Sequence, residues 1–160
     1  MGRLDEIYML EALKEAKKAF EEDEVPVGAV IVSDKSPSGD KRIIARAHNQ
    51  VERLRDPTAH AEMIAITQAA AALGSKWLSG TSIYVTIEPC SMCAGALVLS
   101  RIKNLYFGAC DPKTGACGSV TNIVNHKKLN HKIKVKKGIL KEDCSSLLKE
   151  FFKKKRYQGN

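Results

Sequence analysis

The sequence has no apolar run long enough to span a bilayer. Its longest, Val25 to Val32, falls far short of the roughly 20 residues that a spanning helix needs. It also lacks a basic-then-apolar leader: the first residues are acidic and amphipathic, so no secretory signal is expected. Aromatic residues are scarce at 6%, yet apolar residues reach 44%, enough to build a core, and no segment is low-complexity throughout, which argues against disorder. No internal repeat or linker divides the 160 residues, and that length suits one domain spanning 1–160. Five cysteines, an odd number, with no export signal argue against a disulfide framework and for a reducing, cytoplasmic compartment.

Positive charge is present in excess and unevenly spread. The chain holds 26 Lys and Arg against 18 Asp and Glu, a net +8. Residues 1–25 carry 4 basic and 8 acidic side chains, a balance of −4, whereas residues 125–160 carry 12 basic and 3 acidic, a balance of +9. Lys127, Lys128, Lys132, Lys134, Lys136 and Lys137 are followed by Lys149, Lys153, Lys154, Lys155 and Arg156. A basic surface of this density attracts phosphates by Coulomb steering and counterion release. A solvated lysine-rich face is the plainer explanation, and charge alone does not choose between them.

Patterning gives an order of elements. Leu4, Ile7, Met9, Leu10, Leu13, Ala16 and Phe20 recur at largely helical spacing over 3–22, which predicts an amphipathic first helix. The run Val27 to Val32 is short and rich in β-branched residues, a buried strand. The turn cluster Ser36 to Asp40 and a second strand, Arg42 to Arg46, follow and complete a hairpin. A polar loop from His48 to Thr58 precedes an alanine-rich helix from about Ala59 to Leu73, with Gly74 as its stop. Strands at Thr81–Ile87 and Lys103–Phe107 flank an apolar helix at Ser91–Ser100. A Gly-containing loop over 108–122, a short strand near Ile133–Val135 and a basic C-terminal helix over 141–156 complete the chain. Strands alternating with helices in this order imply an α/β sandwich, one sheet with helices on its faces.

Two segments carry chemistry: His60-Ala61-Glu62 and Pro89-Cys90-Ser91-Met92-Cys93, each delivered at a helix start. Cys90 and Cys93, at i and i+3, share one side of a first helical turn, so both sulfurs reach one ion. The partial positive charge of a helix N-terminus favours the thiolates that bind metal. Two thiolates and an imidazole select zinc over magnesium or calcium. Three protein donors, rather than four, describe a catalytic site that keeps a position for water, whose pKa zinc lowers to roughly 7. Glu62, two residues from His60, points away from that ligand's direction and suits a proton carrier beside the water. The chemistry implied is hydrolytic attack on a polarised carbon. Cys110, Cys117 and Cys144 have no paired spacing and read as core or loop residues; His48, His126 and His131 read as surface or loop histidines.

The joint pattern resembles the zinc-dependent nucleobase deaminases. Pro57 to Met63, Glu88 to Ala96, Phe107-Gly108-Ala109 with Asp111 to Gly115, and the closing Gly138-Ile139-Leu140 to Phe151-Phe152 stretch are similar to bacterial tRNA adenosine deaminases over nearly the whole chain. The resemblance implies a cytidine deaminase-like, three-layer α/β/α sandwich with a mixed five-stranded sheet. It also implies deamination of adenosine to inosine at the wobble position of a tRNA anticodon, and a homodimer. Carried over by position, His60, Cys90 and Cys93 would hold one zinc ion per subunit. Glu62 would shuttle protons, Asn49 would hydrogen-bond the flipped base and Val30 would help wall the pocket. Asp111 and Lys113 would lie beside the anticodon-loop nucleotides, and Phe151 and Phe152 would grip RNA with the nearby lysines. A basic tail suits a folded RNA loop better than a free base, and unstacked bases stack on aromatic surfaces. The residues leave two other functions open: a deaminase of free guanine, cytosine or a nucleoside, and a zinc-stabilised RNA-binding module without turnover.

Overall fold

The computed structural model describes residues 2–159. In chain order the elements are α1 (Arg3–Glu21), β1 (Gly28–Ser33), β2 (Arg42–His48), α2 (Val51–Leu54), α3 (Ala61–Leu73), β3 (Thr81–Ile87), α4 (Ser91–Leu99), β4 (Asn104–Ala109), β5 (Lys134–Lys137) and α5 (Lys141–Gln158). The strands form one mixed sheet in the order β2-β1-β3-β4-β5. Strand β1 runs antiparallel to both β2 and β3, whereas β3, β4 and β5 are parallel. Helices cover both faces, giving the α/β layering expected from the sequence.

The two faces read directly from the alternation in β1. Ala29 and Ile31 join Ile83, Val85, Leu105 and Phe107 in a core closed by Ala61, Ala65 and Ala69 of α3 and Ala94 and Leu97 of α4. Val30 and Val32 point the other way, packing with Tyr84 against Met9, Ala12 and Leu13 of α1, and with Cys144 of α5. Each fully buried Ile or Leu contributes about 1.5–3 kcal/mol relative to exposure. Helix α1 lies so close to β1 that a Cβ on Gly28 would stand 2.0 Å from the Ala12 carbonyl oxygen and 2.5 Å from the Ala16 nitrogen. Only glycine fits there.

Element ends differ modestly from the sequence expectation: β2 extends to His48, β4 to Ala109, and α5 to Gln158. Helix α2 was not expected at all. Its four residues are too few for periodicity to register, and tertiary capping makes them helical: the buried Glu24 carboxylate accepts the Glu52 and Arg53 backbone N–H groups at 3.0 and 2.8 Å. Those are two of the donors that a helix start leaves orphaned. Gly74 ends α3 in the left-handed conformation, φ 61°, as its position suggested.

Parallel strands β3 and β4 with the crossing helix α4 put the α4 N-terminus at the carboxyl ends of the strands, where open α/β sheets bind ligands. Helix α3 starts beside it.

Candidate metal centre and cleft

His60 and Cys90 are the N-cap residues of α3 and α4, both with extended backbone. Neither side chain caps its helix, so each is free to face the other across the gap. His60 Nδ1 lies 3.7 Å from Cys90 Sγ and 3.5 Å from Cys93 Sγ, and the three donor atoms lie within 4.8 Å of one another. A tetrahedral ion with zinc–sulfur bonds of about 2.3 Å and zinc–nitrogen bonds of about 2.0–2.1 Å sets sulfur and nitrogen roughly 3.6 Å apart. The spacing and the soft donor set therefore fit zinc, and the three residues are a group able to hold a metal.

Electrostatics within the group are lopsided. The Cys93 thiol and then His60 bond to Cys90 and bring its pKa down to about 3. Cys93 is driven up, first by that neighbouring sulfur and then by burial. His60 is raised, chiefly by the Cys90 sulfur, with the Glu62 charge and the Pro57 carbonyl adding to it. Glu62 is 3% exposed, and burial pushes its carboxyl above the usual carboxylate range against the pull of His60 and Cys93.

The group opens into a cleft of about 1560 Å³ that Asn49, Glu62, His60, Cys90, Asp111 and Lys113 help to line. Because His60 does not cap α3, the orphaned Ala61 N–H is taken by Asn49 Oδ1 at 2.8 Å. That bond fixes the Asn49 amide and leaves its Nδ2 protons for the cleft. Val30 is elsewhere: it is fully buried on the α1 face of the sheet, and Val27, on the opposite parity, lines the cleft instead. This corrects the expectation that Val30 walls the pocket. Asp111 turns its carboxylate onto its own loop, accepting the Lys113 and Thr114 N–H groups at 2.9 and 3.2 Å and the Thr114 hydroxyl at 2.7 Å. Burial resists its ionisation, but these bonds outweigh that and hold it below the ordinary range.

The two adjacent phenylalanines have different fates. Phe151 is 4% exposed and packs edge-on against Phe20 of α1, with ring centroids 5.8 Å apart; Phe152 is 46% exposed, on the rim of the cleft. Lys155 pairs with Asp23 just beyond α1, so the basic end of α5 is clamped to the first helix and forms one wall of the cleft. His48 is bonded to Glu15 of α1 and to Glu22 at its end, at 3.3 and 2.9 Å, and His131 to the Ile102 carbonyl at 2.7 Å. Cys117 and Cys144 are buried and Cys110 exposed.

Sequence reasoning missed two acids. Glu24, described above, shapes the α2 wall. Glu88 is buried at the end of β3, where burial opposes its charge but bonds from Ser119, Asp111 and Cys117 hold it low. Its only signal in the sequence is an acidic residue between an apolar strand and Pro89-Cys90.

Residues 4–156 match the family model for MafB19-like deaminases. The chain is 49% identical to the tRNA-specific adenosine deaminase of Bacillus subtilis (strain 168) over 152 residues, 95% of this chain and 91% of that protein. It is 52% identical to the tRNA-specific adenosine deaminase of Aquifex aeolicus (strain VF5) over 156 residues, 98% and 97% of the two. Among solved structures it is similar to a tRNA:A34 deaminase studied for A-to-I editing at the wobble position, with TM-score 0.82, 43% identity and coverage of 89% of this chain and 99% of that one. It is also similar to the guanine deaminase of Nitrosomonas europaea, at TM-score 0.76, 26% identity and coverage of 91% and 83%.

Proposed function

Because the chain belongs to the MafB19-like deaminase family, and with it to the tRNA-specific adenosine deaminases, we propose that it converts adenosine to inosine at the wobble position of a tRNA anticodon. The observation that carries this is the join between site and rim. A three-donor metal group and a buried carboxylate open into a cleft whose outer wall is the basic helix α5, with Lys149, Lys155 and the exposed Phe152 on it. A free base needs no such wall, whereas an RNA loop uses cations for its phosphates and an aromatic face for an unstacked base.

His60, Cys90 and Cys93 would hold zinc, which supplies Lewis-acid activation of water when bound. Glu62 carries the protons: its carboxyl oxygen would accept one from the attacking water and pass it to the adenine ring nitrogen, then accept the second from the added hydroxyl and pass it to the departing amine. Its raised pKa suits both halves of that task. Asn49 offers its Nδ2 protons to acceptors on the base while Ala61 holds its other end. Lys113, Asp111 and their loop border the nucleotides beside the target. Phe151 seats α5, and Phe152 meets RNA.

Incubation with an anticodon stem-loop bearing adenosine at the wobble position should yield inosine, with a rate that falls steeply as salt rises. Ammonia release from free guanine or cytosine, with the stem-loop untouched and little salt effect, would refute this reading.

A second copy completes the assembly in this reading. Helix α4 carries no charged residue on any side, yet Leu99 is 80% exposed and a Cβ on Gly95 would meet open space. Leu54 and Val120 are exposed as well. A second copy of this chain, meeting Leu99 across a two-fold axis, covers this apolar surface. Sedimentation velocity should find a dimer that Leu99→Glu converts to monomer; a monomeric wild type at micromolar concentration would overturn it. The reading puts the reaction in the cytoplasm, with its tRNA.

A further inference from the structure

Glu88 follows β3 directly, and its N–H donates to the Ala109 carbonyl at 2.8 Å, continuing the β3–β4 pairing by one step. Its backbone is thus anchored to the sheet, and its side chain is 2% exposed. All four donors that reach the carboxylate come from the loop that follows β4. Oε1 accepts the Asp111 N–H at 3.1 Å and the Ser119 hydroxyl, and Oε2 accepts the Cys117 and Ser119 N–H groups at 3.0 and 3.1 Å. A carboxylate has about four acceptor positions, so these bonds use its whole capacity and leave nothing for a substrate. No Lys, Arg or His pairs with it among the described residues.

The loop closes tightly around this anion. A Cβ on Gly115 would stand 2.4 Å from the Glu88 carboxylate and 2.5 Å from the Asp111 carbonyl oxygen, so a side chain at 115 would force the wrap open. The same loop is stitched to the metal-ligand segment. The Ala116 N–H donates to the Pro89 carbonyl at 2.9 Å, and Gly115 forms a β-bridge with Cys90. On its outer side Asp111, Pro112, Lys113 and Thr114 line the cleft.

We propose that Glu88 is a positioning residue: a buried anion that templates the 111–119 loop and fixes the distance from the wall bearing Asp111 and Lys113 to the metal group. It acts on the grip on substrate, not on proton transfer, because both oxygens are fully engaged by the donors of the loop. The inference rests on the RNA-deaminase reading for its substrate, but the order of the loop is measurable without one.

The test uses Glu88→Gln, which keeps the shape but turns an NH₂ group toward two donors, and Ser119→Ala, which removes one of the four bonds. Hydrogen exchange across residues 110–120 should accelerate at least tenfold in Glu88→Gln and by a smaller factor in Ser119→Ala, with zinc content as in wild type. With the anticodon stem-loop, KM should rise at least tenfold in Glu88→Gln while kcat stays within about threefold. Should Glu88→Gln not fold, Ser119→Ala alone decides: faster loop exchange and a raised KM support the assignment, and wild-type values of both overturn it. A fall in kcat at constant KM, or unchanged loop exchange in Glu88→Gln, overturns it too. If wild type forms no inosine, the proposed reaction fails, and the exchange data still judge the template by themselves.

Discussion

Replacing Glu62 with Gln is expected to abolish turnover while leaving the metal in place. A positioned acid–base group contributes about 10²–10⁴ in rate, and Glu62 serves both the uptake and the delivery of the proton, so the loss in kcat should lie toward the upper end of that range. Glutamine keeps the volume and a hydrogen-bonding amide but exchanges no proton. The stability effect should have the opposite sign. Glu62 is buried and its pKa raised by that burial, which means that the fold disfavours its charge. A neutral isostere removes this penalty, and the melting temperature should equal or exceed that of wild type. Inosine formation, zinc analysis and thermal denaturation on one preparation test all three. A variant that retains its full rate of inosine formation would remove Glu62 from the proton-carrying role.

Cys90→Ala should fail differently, losing metal and activity together. Outer-shell changes at metal sites typically cost 10–100-fold, so loss of a direct donor should leave less than about 1% of wild-type activity. Added zinc should not restore it. The fold should survive: two apolar clusters on opposite faces of the sheet, around Ile31 and Leu97 and around Val30 and Tyr84, do not involve the metal. In this respect the protein differs from zinc fingers, which unfold without the ion. Denaturation should therefore remain cooperative, with a lowered midpoint. Normal zinc stoichiometry in this variant would remove Cys90 from the ligand set.

The group able to hold a metal was legible because its geometry is local. A Cys-x-x-Cys at a helix start places its own sulfurs, and a histidine at a second helix start needs only the sheet to bring it near. Element order was legible for the same reason, since periodicity over ten or more residues reports the environment of a segment. What escaped depends on contacts distant in sequence. The resemblance implies Val30 as a pocket wall, but only the packing of α1 on β1 decides that Val30 faces that helix while Val27 lines the cleft. Phe151 and Phe152 are adjacent on one helix, and only Phe20, more than a hundred residues earlier, decides that Phe151 turns inward. Helix α2 exists because Glu24 caps it from outside. Glu88 looked like a lone acid because its four partners lie between residues 111 and 119.

The clamp of Phe20 and Asp23 on Phe151 and Lys155 has a consequence for biosynthesis. Translation runs from the N-terminus, so His60, Cys90 and Cys93 have all been made before Lys141 is added. The α5 wall of the cleft is made last and packs onto the end of the helix made first. A chain that ends ahead of α5 would therefore leave Phe20 and Asp23 without these partners and one side of the cleft without its wall.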